Sequence, residues 1–285
     1  MSLKKKIAAL IAAAALTASL AACGDDAASP GGEAKDFPEG STMAKLSSAG
    51  KMVVGTKFDQ PLFGLAGPTG TPEGFDVEVA KIIAGELGIS ADNIEWKETV
   101  SQNREPFIEQ GQVDIVVATY TINDKRKEVI DFAGPYYIAG QSFLVPKGNP
   151  KGITGVDAVG DAKICTVTGS TSEKNIKEHT DNVITVDKYS DCLEPIRTGQ
   201  ADALTTDNVI LAGLVSQNGD EFEVVNGTFT EEPYGIGLKK DDDDFRTFIN
   251  DTLEAAYEDG RWEKAWKDTA GTVLDTPEAP SVDRY

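Results

Sequence analysis

The sequence predicts an α/β protein of two lobes, each a mainly parallel sheet flanked by helices. Short β-branched runs alternate with amphipathic stretches from about Lys51 onward, a pattern typical of strands joined by helices. The second half of the chain repeats this alternation. The length of 285 residues also corresponds to roughly two domains of about 150 residues each.

The first residues have the organisation of a secretory signal. Three lysines at positions 4–6 precede an apolar run from Ile7 to Leu16, which is too short to span a bilayer about 30 Å thick. The segment ends in Leu20-Ala-Ala-Cys23, which resembles the bacterial lipobox, where cleavage precedes a lipid-carrying cysteine. We therefore predict a lipoprotein signal peptide over residues 1–22, lipidation of Cys23 and a flexible tether over residues 23–42. The alternative is an ordinary signal with an incidental cysteine.

The first half of the folded part predicts three strands and two helices. The strands are Met52–Thr56, Ile94–Val100 and Asp114–Thr119. Between the first two, Phe75–Leu87 places apolar residues at i, i+4, i+7 and i+8, which is one face of a helix. A short helix is expected around Pro106–Glu109.

The second half predicts a further set of alternating elements. Strands are expected near 163–167, 183–186 and 203–206, and the capping-box spacing of Ser170 and Glu173 indicates a helix start. The last helix has an apolar face from Phe245 to Ala256 and is expected to continue past Gly260 to Lys267. We assign residues 43–140 plus 235–275 to lobe 1, 141–234 to lobe 2 and 276–285 to a C-terminal tail.

Two cysteines remain if Cys23 carries lipid. In an exported protein Cys165 and Cys192 are expected to form a disulfide, closing a loop of about 28 residues worth roughly 3–4 kcal/mol. The alternative is two separately buried thiols.

Charge and motif content exclude several classes of function. The 47 acidic and 27 basic residues give a net charge of −20, which argues against nucleic-acid binding. There is no phosphate-binding glycine-rich motif, zinc-protease motif or nucleophile elbow, and His179 is the single histidine. We therefore expect no enzyme activity, no metal and no cofactor.

Polar side chains collect after the predicted strands. In open α/β sheets, ligands bind at the carboxyl ends of the strands, so these residues are candidates for a site between the lobes. Arginine suits a carboxylate because its planar fork can bind both oxygens. The candidates are Lys57, Ser101, Arg104, Thr119, Thr121, Arg126, Thr168, Thr171 and Asp207.

Several ordered motifs resemble solute-binding protein family 3, the extracytoplasmic amino-acid receptors of ABC importers. They are Met52-Val-Val-Gly-Thr-Lys57, Gly74-Phe-Asp-Val-Glu78, Gly111-Gln-Val-Asp-Ile-Val-Val-Ala118, Thr121-Ile-Asn-Asp-Lys-Arg126, Asp131-Phe-Ala-Gly-Pro-Tyr136, Gly169-Ser-Thr-Ser172, Ala201-Asp-Ala-Leu-Thr-Thr-Asp207 and Gly260-Arg-Trp-Glu263. The resemblance implies the two-lobed type II periplasmic-binding-protein fold, with hinge crossings that we place near 140–145 and 227–237. It also implies an extracytoplasmic monomer, anchored by Cys23 to the outer face of the cell membrane, with permease subunits as partners.

The resemblance implies a role for each candidate. Arg126 and Thr121 match residues that bind the ligand α-carboxylate, together with backbone near Thr119. Asp207 matches the acid that receives the α-ammonium, and the segment from Thr168 to Thr171 matches a loop that donates to a carboxylate.

The remaining residues set the expected specificity. Ser101-Gln-Asn-Arg104 resembles the pattern of glutamate/aspartate binders, which also carry a cation at the place of Lys57. Three cations and one acid suit a ligand with two carboxylates and one ammonium, so L-glutamate is favoured and L-aspartate comes second. From the residues alone, Arg126 and Lys57 could instead face solvent, Asp207 could cap a helix and Ser101 could be a turn residue.

Three rival interpretations stay open. The pocket could select glutamine, cystine or another amino acid. The chain could be a dehydratase-like enzyme on the same scaffold, with Asp207 as its acid, or a sensor domain that signals through a separate partner.

Overall fold

The structure is a computed structural model and describes residues 36–285. The predicted signal peptide, Cys23 and most of the predicted tether lie outside the described residues. Within residues 36–285, none of the helices combines the length and the apolar character needed to cross a membrane.

The described residues form two five-stranded sheets, a small three-stranded sheet and surrounding helices. The strands are β1 (Met52–Thr56), β2 (Asp59–Gln60), β3 (Gly64–Ala66), β4 (Pro72–Glu73), β5 (Ile94–Glu98), β6 (Ile115–Val116), β7 (Ile130–Ala139), β8 (Gln141–Pro146), β9 (Ile164–Val167), β10 (Val183–Val186), β11 (Ala203–Asp207), β12 (Phe222–Val224) and β13 (Glu232–Lys239). The α-helices are α1 (Thr42–Ala49), α2 (Phe75–Glu86), α3 (Arg104–Glu109), α4 (Asp124–Lys127), α5 (Thr171–Ile176), α6 (Leu193–Arg197), α7 (Asn208–Asn218), α8 (Asp243–Asp259) and α9 (Arg261–Asp268).

Each large sheet defines a lobe. The first lobe contains the sheet β5-β1-β6-β13-β7 and the second lobe contains β10-β9-β11-β8-β12. The chain crosses from the first sheet to the second at Gly140, between β7 and β8, and returns between β12 and β13. Because Glu232 already pairs with Ala139, the first-lobe strand begins three residues before the predicted boundary at 235.

The sheets are mixed, which corrects the expectation that they are mainly parallel. In the first lobe β1 runs parallel to β5 and β6, whereas β13 is antiparallel to both β6 and β7. The second lobe repeats this arrangement, with β9 parallel to β10 and β11, and β8 antiparallel to β11 and β12. Within the two large sheets the antiparallel pairs all involve β8 or β13, the strands that begin just after the chain changes lobes.

Two predicted elements differ most in extent from the structure. The strand predicted over 114–119 is reduced to Ile115–Val116, and Thr119 adopts a positive φ of 44°, which ends extended geometry. The predicted continuous last helix is divided into α8 and α9, because Gly260 has a left-handed φ of 84°.

An aromatic cluster forms the core of the first lobe. Trp266 of α9 is fully buried, stacks on Tyr137 at 4.9 Å between ring centroids and meets the edge of Phe75 at 5.0 Å. Trp262 Nε1 donates to the carbonyl of Tyr136 at 2.9 Å. These contacts attach α9 to β7 and α2. The last α-helix of the chain therefore packs in the first lobe.

The residues predicted as a C-terminal tail contact the first lobe. The amide of Asp283 donates to the carbonyl of Gly134 at 2.7 Å, and the amide of Phe132 donates to Tyr285 Oη at 2.9 Å. Arg284 bonds to Asp251 of α8 at 2.6 Å. The end of the chain is thereby joined to both β7 and α8.

The predicted disulfide is present. Cys165 of β9 is bonded to Cys192, with a Cα–Cα distance of 5.7 Å. Cys192 ends a short 3₁₀ turn that begins at Tyr189. The bond therefore joins this turn to the second sheet.

Candidate functional site

A small cavity of about 10 Å3 lies between the two lobes. It is situated beyond the ends of β6 and β11 and at the starts of α3 and α5. This is the place where open α/β sheets bind ligands. Its lining consists of Ser101, Arg104, Thr119 and Thr121 from the first lobe and Ser170, Thr171, Tyr189, Asp207 and Ile210 from the second.

Arg104 is the cation in the cavity lining. Its Nε donates to the carbonyl of Ser101 at 3.2 Å, and its Nη1 donates to the carbonyls of Ala118 and Thr119 at 3.2 and 3.3 Å. The guanidinium also lies over the ring of Tyr120, 4.1 Å from its centroid. Among the described residues Nη2 has no hydrogen-bond partner, so this nitrogen is free to bind an anion.

Lys57 lies behind Ser101. Its side chain is buried, and Nζ donates to Ser101 Oγ at 2.9 Å. Burial, followed by the nearby Arg104, lowers the pKa of Lys57 to about 7. Because Ser101 Oγ accepts this bond, its own proton is free to be donated into the cavity.

Arg126 lies next to the cavity, in the groove that adjoins it. Its Nε donates to Glu105 Oε1 at 3.0 Å and its Nη1 to the carbonyl of Thr121 at 2.6 Å. Its Nη2 reaches the carbonyl of Gly169 in the second lobe at 3.3 Å. In this arrangement Arg126 connects the lobes.

A buried carboxylate holds the backbone of the cavity wall. Asp76 of α2 accepts from the amide of Thr119 at 2.7 Å and from Tyr136 Oη at 2.7 Å. Burial raises the pKa of Asp76 to about 7. Thr119 Oγ1 in turn donates to Gln60 Oε1 at 2.9 Å. Thr119, with its positive φ, is therefore held from both its amide and its side chain.

Asp207 is the acid in the cavity lining. Oδ2 accepts from Tyr234 Oη at 2.6 Å, whereas Oδ1 is buried with no hydrogen-bond partner. Burial, followed by the neighbouring Glu232, raises the pKa of Asp207 to about 7. A buried acceptor without a donor costs free energy. A cationic ligand group can supply the hydrogen bond that Oδ1 lacks.

The second-lobe loop contributes Ser170 and Thr171 to the cavity lining. Ser170 caps α5 and accepts from the amide of Glu173 at 2.9 Å, as the capping-box spacing predicted. Thr171 Oγ1 lies 3.5 Å from Thr121 Oγ1 across the lobe boundary. The Cys165–Cys192 disulfide holds the turn that carries Tyr189.

The lobes are in contact around the cavity. Besides the bond from Arg126, Gln102 Nε2 donates to Asp187 Oδ1 at 3.1 Å, and Lys188 forms an ion pair with Glu98. Gly213 of α7 lies so close to Pro61 that an added Cβ would be 2.4 Å from the Pro61 carbonyl oxygen. The structure is therefore a closed conformation.

The structure places the predicted residues in three positions. Ser101, Arg104, Thr119, Thr121, Thr171 and Asp207 line the cavity. Lys57 and Arg126 lie beside it. Contact of any of these residues with a ligand stays a prediction. Thr168 lies outside the cavity lining. Its backbone amide donates to the carbonyl of Val186, the last residue of β10, at 3.0 Å.

The sequence did not indicate Tyr189 or Ile210 as lining residues, and Ser170 was covered only as part of the segment from Thr168 to Thr171. Ser170 was identified as a helix cap, which is compatible with a second role in the site. Tyr189 stands three residues before a disulfide cysteine, but only the folded turn directs it to the cavity. Within residues 36–285 no group of three or more histidine, cysteine, aspartate or glutamate side chains could hold a metal ion.

Comparison with known proteins identifies a family of bacterial solute-binding proteins. The family model of bacterial extracellular solute-binding proteins, family 3, matches residues 52–268. The ABC transporter glutamine-binding protein GlnH of Bacillus subtilis is 38% identical over 252 residues, which are 87% of this chain and 90% of that protein. The glutamate-binding protein GluB of Corynebacterium glutamicum is 38% identical over 278 residues, covering 93% and 90% of the two chains.

A solved structure shows the same architecture. The ancestral amino acid-binding protein AncCDT-1, described as a precursor of cyclohexadienyl dehydratase, matches with a TM-score of 0.73 and 30% identity. The match covers 80% of this chain and 99% of that one. The similar curated proteins are thus transport binding proteins, and one similar structure stands at the origin of an enzyme.

Proposed function

The chain belongs to family 3 of the bacterial extracellular solute-binding proteins, and from this premise we propose that it binds an acidic amino acid, L-glutamate first and L-aspartate second, for an ABC importer. The fold is the type II periplasmic-binding-protein fold, and members of the family are extracytoplasmic. Glutamate-binding and glutamine-binding relatives are equally similar at 38% identity. The choice between these ligands therefore rests on the cavity.

The observation that carries the proposal is the pair of buried cations at one side of the cavity. Arg104 offers a free Nη2, and Lys57 polarises Ser101 from behind. Neither cation forms an ion pair with a carboxylate among the described residues. A ligand carboxylate would supply the missing negative charge, whereas a neutral amide would leave buried positive charge poorly compensated. The unpaired oxygen of Asp207 suits the ammonium group at the other end.

Calorimetric titration tests this proposal. The ligand-free domain from Gly24 onward would be titrated with L-glutamate, L-aspartate, L-glutamine and L-cystine at pH 6.5, where Lys57, whose pKa burial lowers to about 7, is mainly charged. We expect L-glutamate to bind at least about tenfold more tightly than L-glutamine, since a mismatched buried charge costs more than about 1.4 kcal/mol. Tighter binding of a neutral amino acid would reject the proposed specificity.

Glutamine is the alternative to an acidic ligand, and one contact favours it. Arg126 is paired with Glu105 at 3.0 Å, and this carboxylate offsets its charge. The site therefore has less net positive charge than it would have with three unpaired cations. If Arg104 alone binds the α-carboxylate, the rest of the pocket must hold the side chain. The titration above separates the two ligands directly.

We propose that the ligand is captured without chemical change. In an open form it would bind the first lobe, and the second lobe would then bring Asp207 and the Thr171 hydroxyl over it. Binding shifts the population only as far as the ligand prefers the closed conformation. Incubation of the protein with L-glutamate should leave the amino acid intact by mass spectrometry, whereas a dehydrated or deaminated product would favour an enzyme.

We also propose that a lipid on Cys23 anchors the protein to the outer face of the membrane, where permease subunits receive the ligand. Cys23 lies outside the described residues, so the proposal rests on the lipobox-like sequence. Cys23→Ser is expected to move most of the protein from the membrane fraction to the soluble secreted or periplasmic fraction, because the thiol that carries lipid is lost. The immunoblot ratio of the two fractions measures this. Equal membrane retention of the wild-type and variant proteins would contradict lipid anchoring.

A further inference from the structure

Two buried carboxylates flank the first crossing between the lobes. Asp207 of β11 pairs with Gln141, directly after Gly140, and Glu232 of β13 pairs with Ala139, directly before it. The two acids therefore belong to different sheets but meet at the same point of the hinge. Each exposes 3% of its surface.

Both acids have an oxygen without a partner. Oδ1 of Asp207 and Oε2 of Glu232 are buried, and neither accepts a hydrogen bond. Asn175 Nδ2 donates to Glu232 Oε1 at 3.1 Å and to Gln141 Oε1 at 3.0 Å, so Glu232 is held in place by a neutral amide. Neither acid forms an ion pair with a cation of residues 36–285. Two such carboxylates close together leave the site short of positive charge.

We propose that Glu232 and Asp207 act as a carboxylate pair on the ammonium group of the amino-acid ligand. The inference rests on the proposed function and extends it, because Glu232 lies outside the cavity lining and has no role in the family resemblance described above. Asp207 binds the ammonium in the cavity. Glu232 acts from behind as a positioning residue, whose negative charge strengthens the attraction that Asp207 exerts.

The charges around Asp207 are compatible with this role. Glu232 is the main charged neighbour that raises the pKa of Asp207, after burial itself, whereas the Tyr234 hydrogen bond, Arg104 and Arg126 lower it. Bringing a positive ligand group next to Asp207 would oppose the effect of Glu232 and favour the ionised carboxylate. The other titratable side chains that interact with Asp207 are Tyr137 and Tyr189.

The pH dependence of affinity distinguishes this role from a structural one. Affinity for the ammonium should fall as pH is lowered and Asp207 becomes protonated. In Glu232→Gln the negative neighbour is lost, so the pKa of Asp207 drops and the fall in affinity moves to lower pH, by roughly one pH unit. At pH 8, above the pKa of Asp207, the same variant should bind roughly tenfold more weakly, because the attraction of the second charge is missing.

Titration of L-glutamate and L-glutamine at several values between pH 5 and 8.5 tests the inference. Glu231→Gln is the matched control, since it removes the same charge from the adjacent exposed residue. Glu232→Asp keeps the charge but shortens the side chain, so its pH midpoint should stay close to that of the wild type. It also provides the readout if Glu232→Gln fails to fold.

The outcomes are separable. Glu232→Gln behaving like Glu231→Gln, or weakening binding by one factor at every pH, would overturn the carboxylate pair while leaving the proposed function intact. A pH midpoint in Glu232→Asp that departs from the wild type by about a unit would overturn it as well. Failure of the wild-type protein to bind any amino acid would overturn the proposed function, and the inference with it.

Discussion

Lys57→Met is expected to weaken L-glutamate binding by about a hundredfold while changing L-glutamine binding by less than about threefold, because truncating a buried charge partner costs about 2–5 kcal/mol. Methionine has a similar length and is unbranched, so it can fill the volume that the lysine stem leaves. The variant removes the positive charge behind Ser101 but leaves Arg104 and the Ser101 hydroxyl in the cavity. The preference for an anionic side chain should therefore decline without general loss of binding.

The same variant should change the pH dependence of folding stability. Burial lowers the pKa of Lys57 to about 7 in the folded protein, against an ordinary value of 10.5. Between these values the unfolded chain binds more protons at this residue than the folded chain does. The Lys57 contribution therefore makes stability rise with pH from about 7 to 10.5. Lys57→Met should reduce that rise in ligand-free protein, as measured by urea denaturation at pH 7 and pH 9.5.

Lys45→Met is the control, because it removes a charge from an exposed position of α1. It should alter neither the ratio of glutamate to glutamine affinity nor the pH slope of stability. If Lys57→Met leaves that ratio unchanged, the lysine does not read the ligand side chain and the second carboxylate must bind elsewhere.

Local patterns were sufficient to predict much of the fold. Strand β1 and strand β10 have the predicted bounds, and Ser170 caps α5 as its spacing from Glu173 indicated. These features depend on residues close together in sequence, such as β-branched runs and a cap. Helix α1 was missed, since it lies directly after a segment rich in small residues, although Ser41 caps it by accepting from Ala44 at 3.1 Å.

Features that depend on distant residues could not be predicted in this way. The sequence pattern placed Arg104 and Asp207 after strands. It could not show which of their atoms are hydrogen-bonded, because partners such as the Ala118 carbonyl and the Tyr234 hydroxyl come from other elements. Asp76 is a further case, since an acid in the first turn of α2 would be taken for a solvated helix cap. Only the packed lobe shows that it is fully buried and bonded to Thr119.

The second large effect is expected outside the cavity lining, at the contact of α7 with Pro61. Gly213→Ala should weaken amino-acid binding about tenfold to a hundredfold, since overpacking of a close contact costs roughly 1–3 kcal/mol. The added Cβ would lie 2.4 Å from the Pro61 carbonyl oxygen, which belongs to the backbone of the opposite lobe. The lobes would have to separate to relieve this clash, so the closed population would fall.

The fold itself should tolerate Gly213→Ala. Gly213 lies inside α7, where alanine is favoured over glycine by up to about 1 kcal/mol. The ligand-free variant should therefore be as thermally stable as the wild type, and small-angle scattering should show a smaller decrease in radius of gyration when ligand is added. Weaker ligand binding by a variant whose thermal stability is unchanged would indicate impaired closure of the lobes.

Gly85→Ala provides the matched control for this experiment. Gly85 lies inside α2, and an added Cβ meets no atom within 4 Å. The helix should gain the same intrinsic stability, while ligand affinity stays at the wild-type value. If Gly213→Ala also binds normally, the contact with Pro61 yields easily and closure does not depend on it. If both variants bind weakly, the loss arises from stiffer helices, because the two substitutions share only the change in helix propensity.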